Sequence, residues 1–167
     1  MKQLWAPWRM EYILNEVDKH DGCIFCQLPQ ENDDEKNLIL YRSETCFVIL
    51  NKFPYNNGHL LVVPFQHSGD PLDLSDETLL DMQRTIRKTI QVMRNVLHPH
   101  AMNIGMNIGR IAGAGIDEHL HYHIVPRWDG DTNFMPVLSG TKVVSESLRA
   151  SWQKLHAEFE RLFPAGK

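Results

Sequence analysis

The segment His119-Leu120-His121-Tyr122-His123-Ile124-Val125 alternates polar and apolar residues, the period of an extended strand with one face against a core. In that conformation three imidazoles share one face, spaced roughly 6–7 Å apart along the chain. Leu120, Tyr122 and Ile124 then point the other way, into apolar packing. A row of imidazoles is a poor core, because each buried ring demands a polar partner. It is chemically rich, because imidazole titrates near pH ~6.5 and serves as nucleophile, general acid or metal ligand. A solvated strand, a metal site built from all three rings and a catalytic row for phosphorus chemistry are the readings open; the shared face favours the last.

The flanking sequence supplies the rest of a sheet. Leu38–Tyr41 and Cys46–Leu50 are β-rich runs around a polar turn, the pattern of a hairpin. Asn56-Asn57-Gly58 is a turn signal, leading into a strand over His59–Val63 stopped by Pro64. Apolar residues at Leu79, Met82, Ile86, Ile90, Met93 and Leu97 recur at steps of three and four, predicting a helix over 75–97 with Asp73 or Ser75 as its cap. Ala101–Ile108 reads as a strand, Gly109–Gly115 as a glycine-rich loop, and His119–Val125 as a strand ending at Pro126. Leu148, Trp152, Leu155, Phe159 and Leu162 mark a closing helix over 145–163 with Ser145 near its start. Short connections favour antiparallel neighbours, so the expected fold is α+β: a mainly antiparallel sheet of about five strands carrying a long central helix and a C-terminal helix.

The chain has 167 residues, which suits one domain over 1–167, with residues 1–22 as a Trp- and Pro-rich arm. Seventeen Lys and Arg against twenty-one Asp and Glu leave a net charge of −4, which excludes the broadly basic surface that general nucleic-acid binding needs. No apolar run approaches the ~20 residues of a membrane span, and Met1–Arg9 lacks the apolar stretch of a secretory signal. Three cysteines do not read as a disulfide framework, so the cytoplasm is the expected compartment. Cys23-x-x-Cys26 has the spacing of a metal knuckle, but a tetrahedral zinc needs two further ligands. Two reduced, buried thiols or a redox pair are the alternatives, the second disfavoured by the lack of a surrounding βαβ pattern. Cys46 sits in an apolar strand and reads as inert core. His98 and His100 flank a helix end, and His20 and His156 carry no pattern.

His119-x-His121-x-His123, with apolar or aromatic residues between, resembles the signature of the histidine triad superfamily. The resemblance extends to Asn51 and to the run Asn56-Asn57-Gly58-His59-Leu60-Leu61-Val62-Val63-Pro64-Phe65-Gln66-His67. Asn107-Ile108-Gly109-Arg110, Pro126-Arg127-Trp128-Asp129-Gly130 and the opening Leu4-Trp5-Ala6-Pro7-Trp8-Arg9 look most like the bacterial branch containing diadenosine tetraphosphate phosphorylases. What this resemblance implies is a HIT-like fold and a nucleotide hydrolase or transferase that cleaves at the α-phosphate through a nucleotidyl-histidine. By position, His121 would be the nucleophile, held by the His119 carbonyl; His123 would contact phosphate or leaving group, and His59 would support the triad. Asn51 would bind ribose, Asn107 and the Gly115 loop would face the phosphates, and Phe47 and Ile49 would wall the base. Where many members carry a hydroxyl residue before the triad, this chain has Gly113-Ala114-Gly115-Ile116-Asp117-Glu118, so backbone N–H groups would replace it. The resemblance further implies a structural zinc on Cys23, Cys26, His67 and His119, no organic cofactor, and a homodimer. The expected substrate is a diadenosine polyphosphate; an adenosine phosphoramidase and a slow-turnover nucleotide sensor are the competing functions.

Overall fold

A computed structural model of the chain describes residues 22–131 and 146–164. The arm expected over 1–22 lies outside them except for Gly22, as does Ser145. Five strands form one sheet: β1 (Ile39–Arg42), β2 (Cys46–Leu50), β3 (Leu60–Pro64), β4 (Ala101–Met106) and β5 (Tyr122–Arg127). Their order is β1-β2-β3-β5-β4, with every neighbouring pair antiparallel. Among the described residues three α-helices accompany it: a single turn α1 (Ile24–Gln27), the long α2 (Asp76–Leu97) and the closing α3 (Leu148–Leu162). The α+β expectation holds. Among the described residues no helix is long and apolar enough to cross a membrane.

Alternation along the strands sorts the side chains. Val48, Leu50, Leu60, Val62 and Ile124 face α2 and α3 and join Met82, Met93, Trp152, Leu155 and Phe159 in the main core. Phe47, Ile49, Leu61 and Val63 face the opposite way and pack with Ile39 and Phe25 of α1. Ser75 caps α2, its Oγ accepting from the Thr78 N–H at 3.2 Å. Asp73 instead accepts from Ser68 Oγ at 2.6 Å and ends the preceding turn. The closing helix starts at Leu148 rather than 145, because Ser147 is the residue whose Oγ accepts from the Ala150 N–H. In the Asn56–Gly58 turn, Gly58 has φ +71°, a left-handed conformation that calls for glycine.

The triad strand is shifted from its expected place. β5 begins at Tyr122, so His119 and His121 precede it, and it runs through Pro126 to Arg127. The β3–β5 ladder ends at Val62↔Tyr122. Beyond that point the Pro64 carbonyl, which a longer ladder would have used, accepts from His119 Nε2 at 2.9 Å. Pro126 is tolerated because its carbonyl side faces past the start of β3, where Asn56 Nδ2 donates to it at 3.0 Å; no ladder partner there needs the missing N–H.

Candidate active site and the adjoining metal-ligand group

The strand registers Ile39↔Ile49, Ile49↔Leu61 and Leu61↔His123 align one residue from each of four strands on the face opposite the long helices. Over that face lies a cleft of about 1000 Å³, lined by Ile49, Asn51, Leu61, His121 and His123 from the sheet side. Ile24, Phe25 and Leu28 line its α1 side, Gly113 and Gly115 its glycine-loop side, and Leu148 and Trp152 its α3 side.

The hydrogen bonds fix the proton on each imidazole. The Tyr55 N–H donates to His59 Nδ1 at 3.1 Å, so His59 carries its own proton on Nε2. That Nε2–H lies 3.0 Å from His123 Nδ1, which therefore accepts and leaves the His123 proton on Nε2. His121 Nδ1 lies 2.8 Å from the His119 carbonyl oxygen; a carbonyl only accepts, so Nδ1 bears the proton and Nε2 bears the lone pair. Burial pushes the His121 pKa below its ordinary value, against a smaller upward pull from the His119 carbonyl, keeping the ring neutral at pH 7. His121 is only 6% exposed, and Phe25 packs on it with ring centroids 5.1 Å apart. A neutral imidazole with an oriented lone pair at a cleft wall is equipped for nucleophilic attack.

His119 belongs to a second group. Its Nε2–H is spent on Pro64, so its Nδ1 lone pair is turned toward Cys23 Sγ at 3.2 Å and His67 Nδ1 at 3.2 Å. Cys26 Sγ lies 3.4 Å from His67 Nδ1, and all four donor atoms fall within 4.8 Å of one another. Two sulfurs and two imidazole nitrogens are the donor set of a closed tetrahedral zinc site. Burial, and then Cys23, push the Cys26 thiol above its usual value, so holding both sulfurs as thiolates would take a cation's charge. Burial likewise pushes His119 down, toward the neutral form that ligates metal. The Nε2–H contact with a backbone carbonyl is the outer bond that typically orients a metal-bound histidine. The residues fit the ion.

A family model described as the HIT domain matches residues 32–130. The chain belongs to the HIT family. It is 38% identical over 168 residues, 96% of this chain and 86% of the relative, to a Mycobacterium tuberculosis protein named AP-4-A phosphorylase. It is 31% identical over 106 residues, 64% of this chain and 74% of the relative, to an adenosine 5'-monophosphoramidase of Schizosaccharomyces pombe. Its fold superposes with a TM-score of 0.68 at 27% identity, covering 85% of this chain and 96% of the other, on a structure described as a Zn-bound histidine triad family protein from Mycobacterium smegmatis.

In this HIT protein the fold brings together His121, His123, Asn51, Ile49 and Gly115 at the cleft, with His59 behind His123 and Asn51 Nδ2 3.2 Å from His59 Nδ1. Cys23, Cys26, His67 and His119 form the metal-ligand group. Two expected residues stand apart from the cleft wall. Phe47 pairs with Val63, one side-chain row beyond the Ile49–Leu61–His123 row, where it is fully buried and stacked on Phe65 with centroids 5.3 Å apart. Asn107 follows β4, on the far side of β5 from the cleft's apolar wall. Ile24, Phe25 and Leu28 line the cleft where Phe47 does not. Their signal was present as an apolar i, i+1, i+4 pattern threaded through the cysteine pair. Cys46 lies fully buried in the core, as expected, and burial pushes its thiol up to about 12.

Proposed function

We propose that this HIT protein is a nucleotide hydrolase/transferase that cleaves dinucleoside polyphosphates at the α-phosphate through covalent catalysis by His121. The observation that carries the reading is the 2.8 Å contact that pins His121 Nδ1–H to the His119 carbonyl and leaves Nε2 as the nucleophilic atom at the cleft. In the first step the Nε2 lone pair attacks the α-phosphorus; a P–N bond forms and the P–O bond to the departing nucleotide breaks. His123, protonated on Nε2, donates to a phosphate oxygen or to the leaving group, and His59 holds its ring through the 3.0 Å contact. Such positioned donors matter because transition-state charge spreads over several oxygens. Gly115 and its neighbours present backbone N–H groups to the same oxygens. Asn51 takes the ribose hydroxyls and Ile49 one face of the base. Asn107 is assigned to the phosphate end by the family resemblance alone. In the second step inorganic phosphate attacks, the P–N bond breaks, and a nucleoside diphosphate leaves. The 38% identity to an AP-4-A phosphorylase across 96% of the chain supports phosphate rather than water as that acceptor.

The four-residue metal group is proposed to hold zinc through Cys23, Cys26, His67 and His119. The ion would supply structural charge neutralisation there, clamping α1, and with it Ile24, Phe25 and Leu28, onto the sheet. A homodimer is proposed through β4, one of the sheet's two edge strands, which carries a 44%-exposed Ile104 and has no ladder partner on its outer side among the described residues.

The test is incubation with diadenosine tetraphosphate with and without inorganic phosphate. Phosphate-dependent ADP plus ATP is the expected result. AMP plus ATP would mark a hydrolase instead. Turnover confined to adenosine phosphoramidates would favour the second reading, which the S. pombe relative keeps in view. No turnover of any of these sinks the enzyme reading.

A further inference from the structure

We infer that Asn37 sets base preference: its side-chain carbonyl accepts a hydrogen bond from the 6-amino group of an adenine seated at the end of the cleft away from the histidines. The inference rests on the nucleotide reading above and adds to it the residue that reads the base edge.

Asn37 is 7% exposed and lines the cleft. Its Nδ2 donates to the Leu28 carbonyl at 3.0 Å and to Glu31 Oε2 at 3.2 Å. Both partners only accept, so the amide cannot be turned over without placing oxygen against oxygen. Both amide hydrogens are thereby used, and Oδ1 is the atom left to offer to the cleft; it accepts no hydrogen bond from the described residues. The residue is buried and its amide rigidly oriented, so Oδ1 is held as a fixed acceptor at the cleft surface, the placement that a ligand donor would use. The next residue reinforces the point. Leu38, also on the cleft wall, is held at φ +60°, a left-handed conformation that a leucine side chain disfavours.

The placement suits a purine. Ile39, Ile49, Leu61 and His123 stand in register across β1, β2, β3 and β5, so β1 lies three strand spacings, about 14 Å, from the triad. A nucleoside monophosphate with phosphorus at His121 and ribose at Asn51 therefore extends its base toward β1, between the apolar side chains of Ile24, Leu28 and Ile49. Adenine presents an amino donor at its outer edge. Hypoxanthine and guanine present a carbonyl there, which would oppose Oδ1. Cytosine carries an amino group on a single ring and falls short.

The experiment is calorimetric titration of the full chain with AMP, IMP and the N6,N6-dimethyl analogue of AMP. AMP is expected to bind about tenfold tighter than the other two, because each of those covers the Asn37 carbonyl without donating to it. In Asn37→Ala the AMP/IMP ratio should fall to within about threefold, chiefly through weaker AMP binding. If Asn37 only staples Leu28 and Glu31 to β1, the substitution weakens AMP and IMP alike and leaves the ratio unchanged, which overturns the assignment. Equal binding of AMP, IMP and the dimethyl analogue by the unmodified protein overturns it even if the variant fails to fold. That outcome spares the nucleotide reading, whereas failure of every nucleotide to bind removes both.

Discussion

The two faces of the sheet are built from alternate residues of the same strands, yet they treat their buried polar groups differently. On the helix-covered face such groups close their hydrogen bonds internally: Thr89 Oγ1 donates to the Thr85 carbonyl at 2.8 Å, and Cys46 Sγ donates to Thr85 Oγ1 at 3.4 Å. On the cleft face three buried polar residues are each fixed by one atom and offer another. His121 spends Nδ1 on a carbonyl and keeps Nε2; Asn37 spends its amide hydrogens and keeps Oδ1; His119 spends Nε2 and keeps Nδ1 for the metal group. A packed face is finished by the fold, whereas a site is left incomplete in chosen directions. Burial of these residues fixes the direction in which each offers its remaining atom.

That contrast can be broken by substitution. His121→Ala, on the cleft face, is expected to lower turnover of diadenosine tetraphosphate by about 10⁴-fold or more while leaving AMP affinity within about tenfold. Steady-state rates and calorimetry read this directly, and residual turnover near the unmodified rate would show that another group attacks phosphorus. Phe159→Ala, on the helix face, should show the reverse: a loss of about 3–5 kcal/mol in unfolding free energy, with turnover per folded molecule retained. Phe159 is fully buried and stacked on Tyr41 with centroids 5.3 Å apart. A matching loss of turnover at temperatures where the variant is folded would mean the faces are not separable.

Metal removal probes the join between the faces. Zinc should be found at one per chain by elemental analysis; a strong chelator, or Cys26→Ser, should remove it. The thermal midpoint should then fall, and AMP should bind more weakly, because α1 and the residue after it carry Ile24, Phe25 and Leu28 into the cleft. An unchanged midpoint with the metal demonstrably gone would refute the clamp. The smallest expected effect lies at the rim. Asp131 is held down to about 2, first by its hydrogen bond from Arg127, and also by Trp128 N–H and Asn56. Its folded pKa lies below the unfolded value of about 3.9, so the stability it adds is present above that value and is lost as pH falls through about 2. Asp131→Asn should therefore flatten the acid limb of a stability–pH curve between about pH 4 and pH 2, and an unaltered limb would show the interaction contributes nothing.

Much of this was legible in the chain. The period of the helix over 75–97 and its Ser75 cap, the hairpin of β1 and β2, the Asn-Asn-Gly turn and the opposed faces of the triad segment are all local patterns, and the structure carries them. The boundary errors have specific causes. His119 and His121 fall outside β5 because the ladder with β3 stops and a side chain takes the Pro64 carbonyl, while Pro126 continues the strand because its blocked side faces no ladder partner. Phe47 and Ile49 look equivalent in sequence; only the register puts Ile49 on the row that ends at His123.

By itself, then, the sequence determined which residues can sit on a buried face, where helices start, and which side chains are able to attack phosphorus or bind a metal. These properties depend on spacing along the chain and on the chemistry of single residues. Tertiary structure alone decided that Cys23 meets His119, ninety-six residues away, that α1 rather than Phe47 walls the cleft, and that Asn37 stands at its far end. Those neighbours are set by strand order and register, which arise from packing the whole sheet at once and leave no mark in any short stretch of sequence.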